Sequence, residues 1–163
     1  MAEIPDNENT TSMLTWQLCN FDALSARHWH DIVRLRMEVF VVEQNCVYQD
    51  VDGHDVMHGV RHLMGTENGQ LVAYARLLPP GLTYDNVSIG RIVTKSSIRG
   101  RGLGHQLVGQ ALSLCEDLWP GVNVEIGAQE HLQDFYASHG FVAFSEPYLE
   151  DGIPHVDMRL DKA

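Results

Sequence analysis

Val87-Ser88-Ile89-Gly90-Arg91-Ile92-Val93-Thr94-Lys95-Ser96-Ser97-Ile98-Arg99-Gly100-Arg101-Gly102-Leu103-Gly104 is the stretch from which the fold can be read. Val87–Thr94 has the β-branched content of a strand. The alternating glycines that follow open the clearest helix of the chain. In that helix Leu103, Leu107, Ala111, Leu114 and Leu118 recur at spacings of four and three and make one apolar stripe. A strand that runs through a glycine loop into a helix presents successive backbone N–H groups to one anion, and the helix dipole adds to the attraction. Glycines let the backbone approach phosphate oxygens and adopt positive φ. Arg99 and Arg101 can add charge-assisted hydrogen bonds, so a diphosphate suits the arrangement. The Gly-Lys-Ser/Thr of a P-loop is absent. The glycines fall as GxGxG after a spacer, and not as GxGxxG directly behind the strand. On the glycine pattern alone, a flexible turn with solvated arginines is the alternative.

Working outward from this unit, Ser25 caps a predicted helix that reaches about Val39, with Trp29, Ile32, Leu35 and Val39 on one face. A short strand is expected at Thr15–Cys19. Phe40-Val41-Val42 and the acidic stretch from Gln49 to Asp55 follow the helix. Arg61–Thr66 and Gln70–Leu78 form a predicted hairpin with Glu67-Asn68-Gly69 as its turn. Pro120-Gly121 ends the leucine-striped helix. A strand over Val122–Ile126, a short helix over His131–His139, and strands over Phe141–Phe144 and Pro154–Leu160 complete the chain. Strands occur both in runs and alternating with helices, which gives an α/β (α+β) class with a mixed sheet.

The 163 residues suit one domain, residues 14–163, behind a polar tail at residues 1–13 that is expected to be disordered. The formal net charge of −11 argues against nucleic acid, which demands a basic face, and suits a cationic or amine-bearing partner. No apolar run is long enough to span a membrane, and no signal peptide is evident. Cys19, Cys46 and Cys115 are odd in number and widely spaced. They imply neither a disulfide framework nor a zinc site, and a reducing cytoplasm is the expected compartment. His54, His58 and His62 are spaced by four, but Gly53 and Gly59 are expected to interrupt any helix there, so no metal site is assigned.

Arg99-Gly100-Arg101-Gly102-Leu103-Gly104 resembles the R/Q-x-x-G-x-G/A signature of the GNAT N-acetyltransferases, and Ile92-Val93-Thr94 resembles that family's splayed strand, whose backbone pairs with the pantetheine arm. Gln129-Glu130-His131-Leu132-Gln133-Asp134-Phe135-Tyr136, followed by Gly140-Phe141, is similar to the family's N-x-x-A-x-x-x-Y…GF segment. Leu35–Gln44, Gly127-Ala128-Gln129 and Glu150–His155 look closer still to the ElaA-type subfamily. The resemblance implies a single-domain acyltransferase fold. Its sheet would be mostly antiparallel and splayed at the centre, with helices on both faces. It implies acetyl-CoA as cosubstrate, held by Ile92, Val93, Thr94, Arg99, Gly100, Arg101, Gly102, Leu103, Gly104 and Gln129, with no metal. The acceptor would be an amine of a small molecule or peptide, and a homodimer is compatible with such a domain. Two alternatives stay open: a protein of this fold that binds acyl-CoA without turnover, and a transferase for a longer acyl group.

Three positions depart from the family pattern. Gln129 replaces the usual asparagine, Leu132 replaces a small residue, and Val124 stands where some members carry a catalytic glutamate. Glu125 is next to that position, but strand alternation turns it to the other face. Tyr136 is the candidate acid for the leaving thiolate. Glu43 and His155 are the candidate bases, both placed near the acceptor by the resemblance. Cys46 and Cys115 lack the His/Asp setting of an acyl-cysteine nucleophile.

Overall fold

The computed structural model describes residues 14–162; the expected tail at residues 1–13 lies outside this range. Strands β1 (Leu14–Cys19), β2 (Arg61–Glu67), β3 (Gln70–Leu78), β4 (Val87–Thr94), β5 (Val124–Gln129), β6 (Val142–Ala143), β7 (Tyr148–Glu150) and β8 (Ile153–Leu160) form one sheet. Its order is β1-β2-β3-β4-β5-β8-β6, with β7 also paired to β8. Every pairing is antiparallel except β4 with β5. The β2–β3 turn follows from its residues. Asn68 and Gly69 both have positive φ, 52° and 76°, which suits a tight hairpin turn that continues the strand twist.

Helices cover both faces, as expected. On one face α2 (Leu103–Leu118) sets Leu107, Val108, Ala111 and Cys115 against Leu63, Ala73, Ala75, Leu77, Ile126 and Met158. On the other, α1 (Ala26–Arg36) packs Ile32 and Leu35 with Met64, Tyr74 and Val93. Strand alternation divides neighbours such as Leu63 and Met64, or Ala73 and Tyr74, between the two cores. Ser25 caps α1 by accepting the His28 N–H at 3.0 Å.

Several boundaries differ from the sequence reading. The α-helical part of α1 stops at Arg36, and a π-helical segment, Met37–Glu43, carries the chain on through Phe40-Val41-Val42. Its wider turn is closed by bonds five residues apart, Gln44 N–H to the Val39 carbonyl and Cys46 N–H to the Val41 carbonyl. β5 begins at Val124 and not at Val122, because the Val122 N–H closes a turn on the Trp119 carbonyl. The expected helix at His131–His139 is a 3-10 turn, Glu130–Leu132, followed by the short α3 (Gln133–Ala137). β7 is not anticipated by the sequence, because Tyr148-Leu149-Glu150 is too short to show a periodicity.

The segment between the π-turn and β2 is irregular, yet its carboxylates are among the most deeply buried groups. Arg36, fully buried at the end of α1, donates from Nε to Asp50 (2.8 Å), from Nη1 to Asp55 (2.7 Å) and from Nη2 to the Asp50 carbonyl (2.7 Å). Arg76 of β3 donates from Nη1 to Asp52 (2.6 Å) and Asp55 (3.0 Å). Arg91 of β4 donates from Nη2 to the Asp50 carbonyl (3.0 Å). Its Nε lies 2.9 Å from Asp50 Oδ1 without the alignment of a hydrogen bond. Burial works against ionisation of Asp52, but Arg76 and Arg91 hold its carboxyl below the usual range.

His62 completes the cluster. Its Nε2 donates to the Asp55 carbonyl (2.9 Å), so Nδ1 accepts from the Tyr74 hydroxyl (2.6 Å), and the ring is neutral with no room for a second proton. His54 sits in a 3-10 turn (Gly53–Val56), His58 in the following turn and His62 on β2, so the spacing by four is not a helical face.

Two outcomes follow for stability. Asp55→Ala leaves Arg36 and Arg76 buried without their shared acceptor, and should lower unfolding free energy by about 3–5 kcal/mol in urea melts. A loss below about 1 kcal/mol would show that solvent reaches the cluster. The second concerns pH. Burial depresses the His62 pKa in the folded state from its ordinary 6.5. The unfolded chain therefore binds the proton first, and stability contributed by neutral His62 is complete above pH 6.5 and lost as pH falls below it. One unit below, the loss reaches up to about 1.4 kcal/mol, a fall of roughly 3–5 °C in Tm. A His62→Gln variant should lose that slope.

Candidate active site

β4 and β5 are paired at Val87 with Val124 and at Ser88 with Glu125, and no further. Beyond Ser88 the strands part. The cause lies in β4, where the register against β3 shifts: Gly90 faces Arg76 and Val93 faces Tyr74, so Arg91 and Ile92 together oppose Ala75. This is a β-bulge, and its first residue, Arg91, adopts φ 52°. The non-glycine left-handed conformation is strained and persists because Asp50 and the Tyr48 ring, 5.6 Å from the guanidinium, hold the side chain. The extra residue reverses the parity of the strand. Ile89 faces the α2 core, whereas Val93 faces the α1 core.

A cleft of about 1180 Å³ runs through the gap. Ile92, Val93 and Thr94 line one side, with Gly127, Gln129 and Tyr136 opposite. On β5 the gap begins after Glu125, so the part of the strand from Ile126 to Gln129 borders it.

At one end the cleft meets a smaller cavity of about 360 Å³, formed by Gly100, Gly102 and Leu103 together with Thr94, Arg99 and Gly104. Gly100 and Gly102 have φ of 86° and 75° with open space where a Cβ would project, so glycine is required there by backbone conformation. Gly102 caps α2 without a side-chain partner for the first N–H groups, which leaves them available to an anion. Arg99 lines both cavities, and its guanidinium is held by the Glu43 carboxylate, Nη2 donating to Oε2 at 2.9 Å. Arg101, expected here too, turns away to Glu67 at 2.8 Å and lines neither cavity.

Tyr136 is 6% exposed on α3, packed edge-on to Phe135 and Phe141, and still reaches the cleft. Burial pushes its phenol up to about 12, so it is a proton donor and not a base at neutral pH. The one side chain thus combines aromatic packing with a place in the cleft lining. Gln129 donates to the Gln44 side chain at 3.2 Å, joining β5 to the end of the π-turn. Glu43 lines the cleft mouth, and its bonds to Arg99 hold its carboxyl below the usual range. His155 is buried on β8, opposite Gln129. Its Nδ1 donates to the Ile153 carbonyl at 2.7 Å, and Nε2 stands 3.6 Å from Glu150.

Val124 lies in the α2 core. Glu125 accepts from Asn86 at 3.0 Å in the closed part of the sheet, outside the cleft. Burial pushes the Cys115 thiol up to about 12, which removes it as a nucleophile. The Cys46 S–H lies 3.4 Å from the Asp151 carbonyl. Among the described residues no three or more His, Cys, Asp or Glu side chains converge as metal ligands, and no helix is long and apolar enough to cross a membrane.

Sequence reading missed Tyr84, Tyr148 and Asp157, which line the other end of the cleft. Asp157 was open to discovery. Val156 and Met158 alternate into the α2 core, which sets His155 and Asp157 together on the opposite face. Tyr84, in the loop between β3 and β4, carries no such signal.

The Acetyltransferase (GNAT) domain family profile matches residues 31–162. Protein ElaA of Escherichia coli (strain K12) is 45% identical over 146 residues, covering 90% of this chain and 95% of that protein. UPF0039 protein C11D3.02c of Schizosaccharomyces pombe is 44% identical over 143 residues, covering 86% of this chain and 93% of that one. Among solved structures, an acyl-CoA N-acyltransferase from Pseudomonas aeruginosa superposes with a TM-score of 0.86 at 48% identity, over 90% of this chain and 99% of that one.

Proposed function

Given that the chain belongs to the GNAT acyltransferase family, we propose that it transfers an acetyl group from acetyl-CoA to an amine of a small molecule or peptide, by direct attack in a ternary complex. The observation that carries this reading is the continuity of the gap between β4 and β5 with the glycine turn at the start of α2. A diphosphate at the Gly100–Gly104 turn would meet unpaired N–H groups and Arg99. A pantetheine arm would run along Ile92–Thr94, whose backbone on the gap side lacks a strand partner. Gln129, with an amide on a longer arm than the family's usual asparagine, stands across the gap and is kept in place by Gln44.

In the step itself the lone pair of a neutral amine attacks the thioester carbon. A C–N bond forms and the C–S bond breaks. The nitrogen gives up one proton and the departing thiolate gains one, so no oxidant or further reactant is involved. We assign Tyr136, buried beside the gap, the donation to the sulfur, since a hydrogen bond there would stabilise the departing thiolate. Of the two candidate bases, His155 suits the role better. With Nδ1–H committed to Ile153, its Nε2 is the free acceptor, and Glu150 nearby would steady the imidazolium. Glu43 is engaged with Arg99 and too weakly basic, and we assign it the orientation of that arginine.

An acceptor panel with acetyl-CoA and thiol detection tests the reaction. Thiol release that needs both an amine and the intact site supports it. Coenzyme binding without release under every amine would favour the non-catalytic alternative, and faster release from longer acyl-CoAs would reassign the acyl group. In calorimetry, Arg99→Ala should weaken acetyl-CoA binding about ten- to a hundredfold, since a hydrogen bond to a charged group contributes roughly 1.5–3 kcal/mol. Tyr136→Phe keeps the ring and deletes the hydroxyl, and kcat should fall about tenfold to a few hundredfold with little change in coenzyme affinity. Full activity would mean that water protonates the sulfur. A lower Tm with proportionate activity loss would assign Tyr136 to packing alone.

A further inference from the structure

The end of the cleft away from the glycine turn contains a carboxylate without a cation. Asp157 Oδ1 accepts from two phenols, Tyr148 at 2.7 Å and Tyr84 at 3.0 Å, which arrive from different elements, β7 and the β3–β4 loop. Among the described residues Oδ2 accepts no hydrogen bond and Asp157 forms no ion pair; Arg159, two residues on, is turned to Asp161 at 2.6 Å. The other arginines of the site are committed elsewhere: Arg76 and Arg91 to the Asp50–Asp55 segment and Arg99 to Glu43.

The setting is built for a ligand group and not for packing. Asp157 pairs with Gly127 of β5, and a Cβ at Gly127 would come within 3.2 Å of both phenol oxygens and 3.8 Å of Asp157 Oδ1. The missing side chain therefore leaves the carboxylate open to the cleft while the two hydroxyls fix its orientation. A carboxylate oriented by two donors and left with one free oxygen is a seat for an ammonium group. Asp157 lies on β8, one strand-spacing (about 4.8 Å) beyond the β5 edge that borders the gap. It shares its face of β8 with His155, two residues away; since His155 Nε2 is the acceptor assigned to the attacking nitrogen, Asp157 is left for a second group.

We infer that Asp157, fixed by Tyr84 and Tyr148, selects acceptors that carry a second, cationic nitrogen a few methylenes from the one acylated: small diamines and polyamines. This rests on the transfer reaction proposed above and names its substrate class. Aliphatic ammonium groups have ordinary pKa values near 10.4, so a diamine arrives doubly charged. One nitrogen must lose a proton to attack; the other keeps its charge and pairs with Asp157. An amino acid acceptor would instead set its carboxylate against that of Asp157.

The test compares 1,4-diaminobutane, butylamine and 4-aminobutyrate in two arms, thiol release from acetyl-CoA and calorimetric binding to the protein saturated with coenzyme A. In the wild type the diamine should exceed butylamine about tenfold or more in kcat/KM and in affinity, with 4-aminobutyrate lowest. Asp157→Asn preserves an acceptor oxygen for both phenols, so the fold should be kept, which a melting curve checks. It should bring the diamine advantage down to within about threefold. Tyr148→Phe, which removes one of the two supports, should fall between. Equal binding of diamine and butylamine by the wild type, or an advantage that survives Asp157→Asn, overturns the inference. The two readings fail separately. Asp157-dependent diamine binding without thiol release from any amine removes the transfer reaction and keeps the seat. Amine-dependent release with no diamine preference keeps the reaction and removes the seat.

Discussion

The buried pairing of Arg36 with Asp50 and Asp55 is the constraint on which the rest of the structure depends. Arg36 closes the α-helical part of α1, and the two aspartates belong to a segment with almost no regular structure of its own. An irregular segment can be buried only if its polar groups find partners. Here three arginines from three elements supply them. The desolvation of so many charges makes such a cluster weak evidence for net stability, but removal of one member leaves the others uncompensated. What the cluster secures is position: it ties α1, β3 and β4 to one loop, and that loop forms a wall of the cleft.

Through Arg91 the same cluster reaches the site. The bulge in β4 sets Arg91 at positive φ, and Asp50 with Tyr48 holds it there. The bulge in turn bends β4 away from β5 after Ser88, which opens the gap, and reverses the faces presented by Ile89 and Val93. A charge network and a gap in a sheet, which look unrelated, are linked by one side chain. The cleft that results carries the Arg99–Glu43 ion pair towards its glycine-turn end and is carboxylate-lined at the other, through Glu150, Asp151 and Asp157. The net charge of −11 thus has a local expression at the end of the cleft away from the glycine turn, beyond its general effect on solubility.

The departures from the family pattern are absorbed locally. Gln129 reaches Gln44. Leu132 packs at the edge of the α2 core. Val124, where other members can carry a carboxylate, lies deep in that core, away from the cleft. His155 and Glu43 both border it; Glu43 is bound to Arg99, whereas the hydrogen bond of His155 is made through Nδ1.

The sequence by itself determined what depends on local periodicity and backbone chemistry. The hairpin at Asn68-Gly69, the strand Val87–Thr94, the leucine-striped helix with its glycine turn, and the Ser25 cap are all dictated by residues within a few positions of one another. The family motifs lay in two such blocks and were legible for the same reason. The tertiary structure alone decided which charged groups pair. Arg99 meets Glu43 and Arg101 meets Glu67 from 56 and 34 residues away, and no pattern in the chain encodes either separation. The bulge at Arg91 escaped as well, because an inserted residue reverses strand parity without altering the run of β-branched residues. So did the cluster at Asp157, whose partners Tyr84 and Tyr148 lie 73 and 9 residues away. Short-range order is written in spacing, whereas long-range electrostatics exists only once the sheet has brought distant strands side by side.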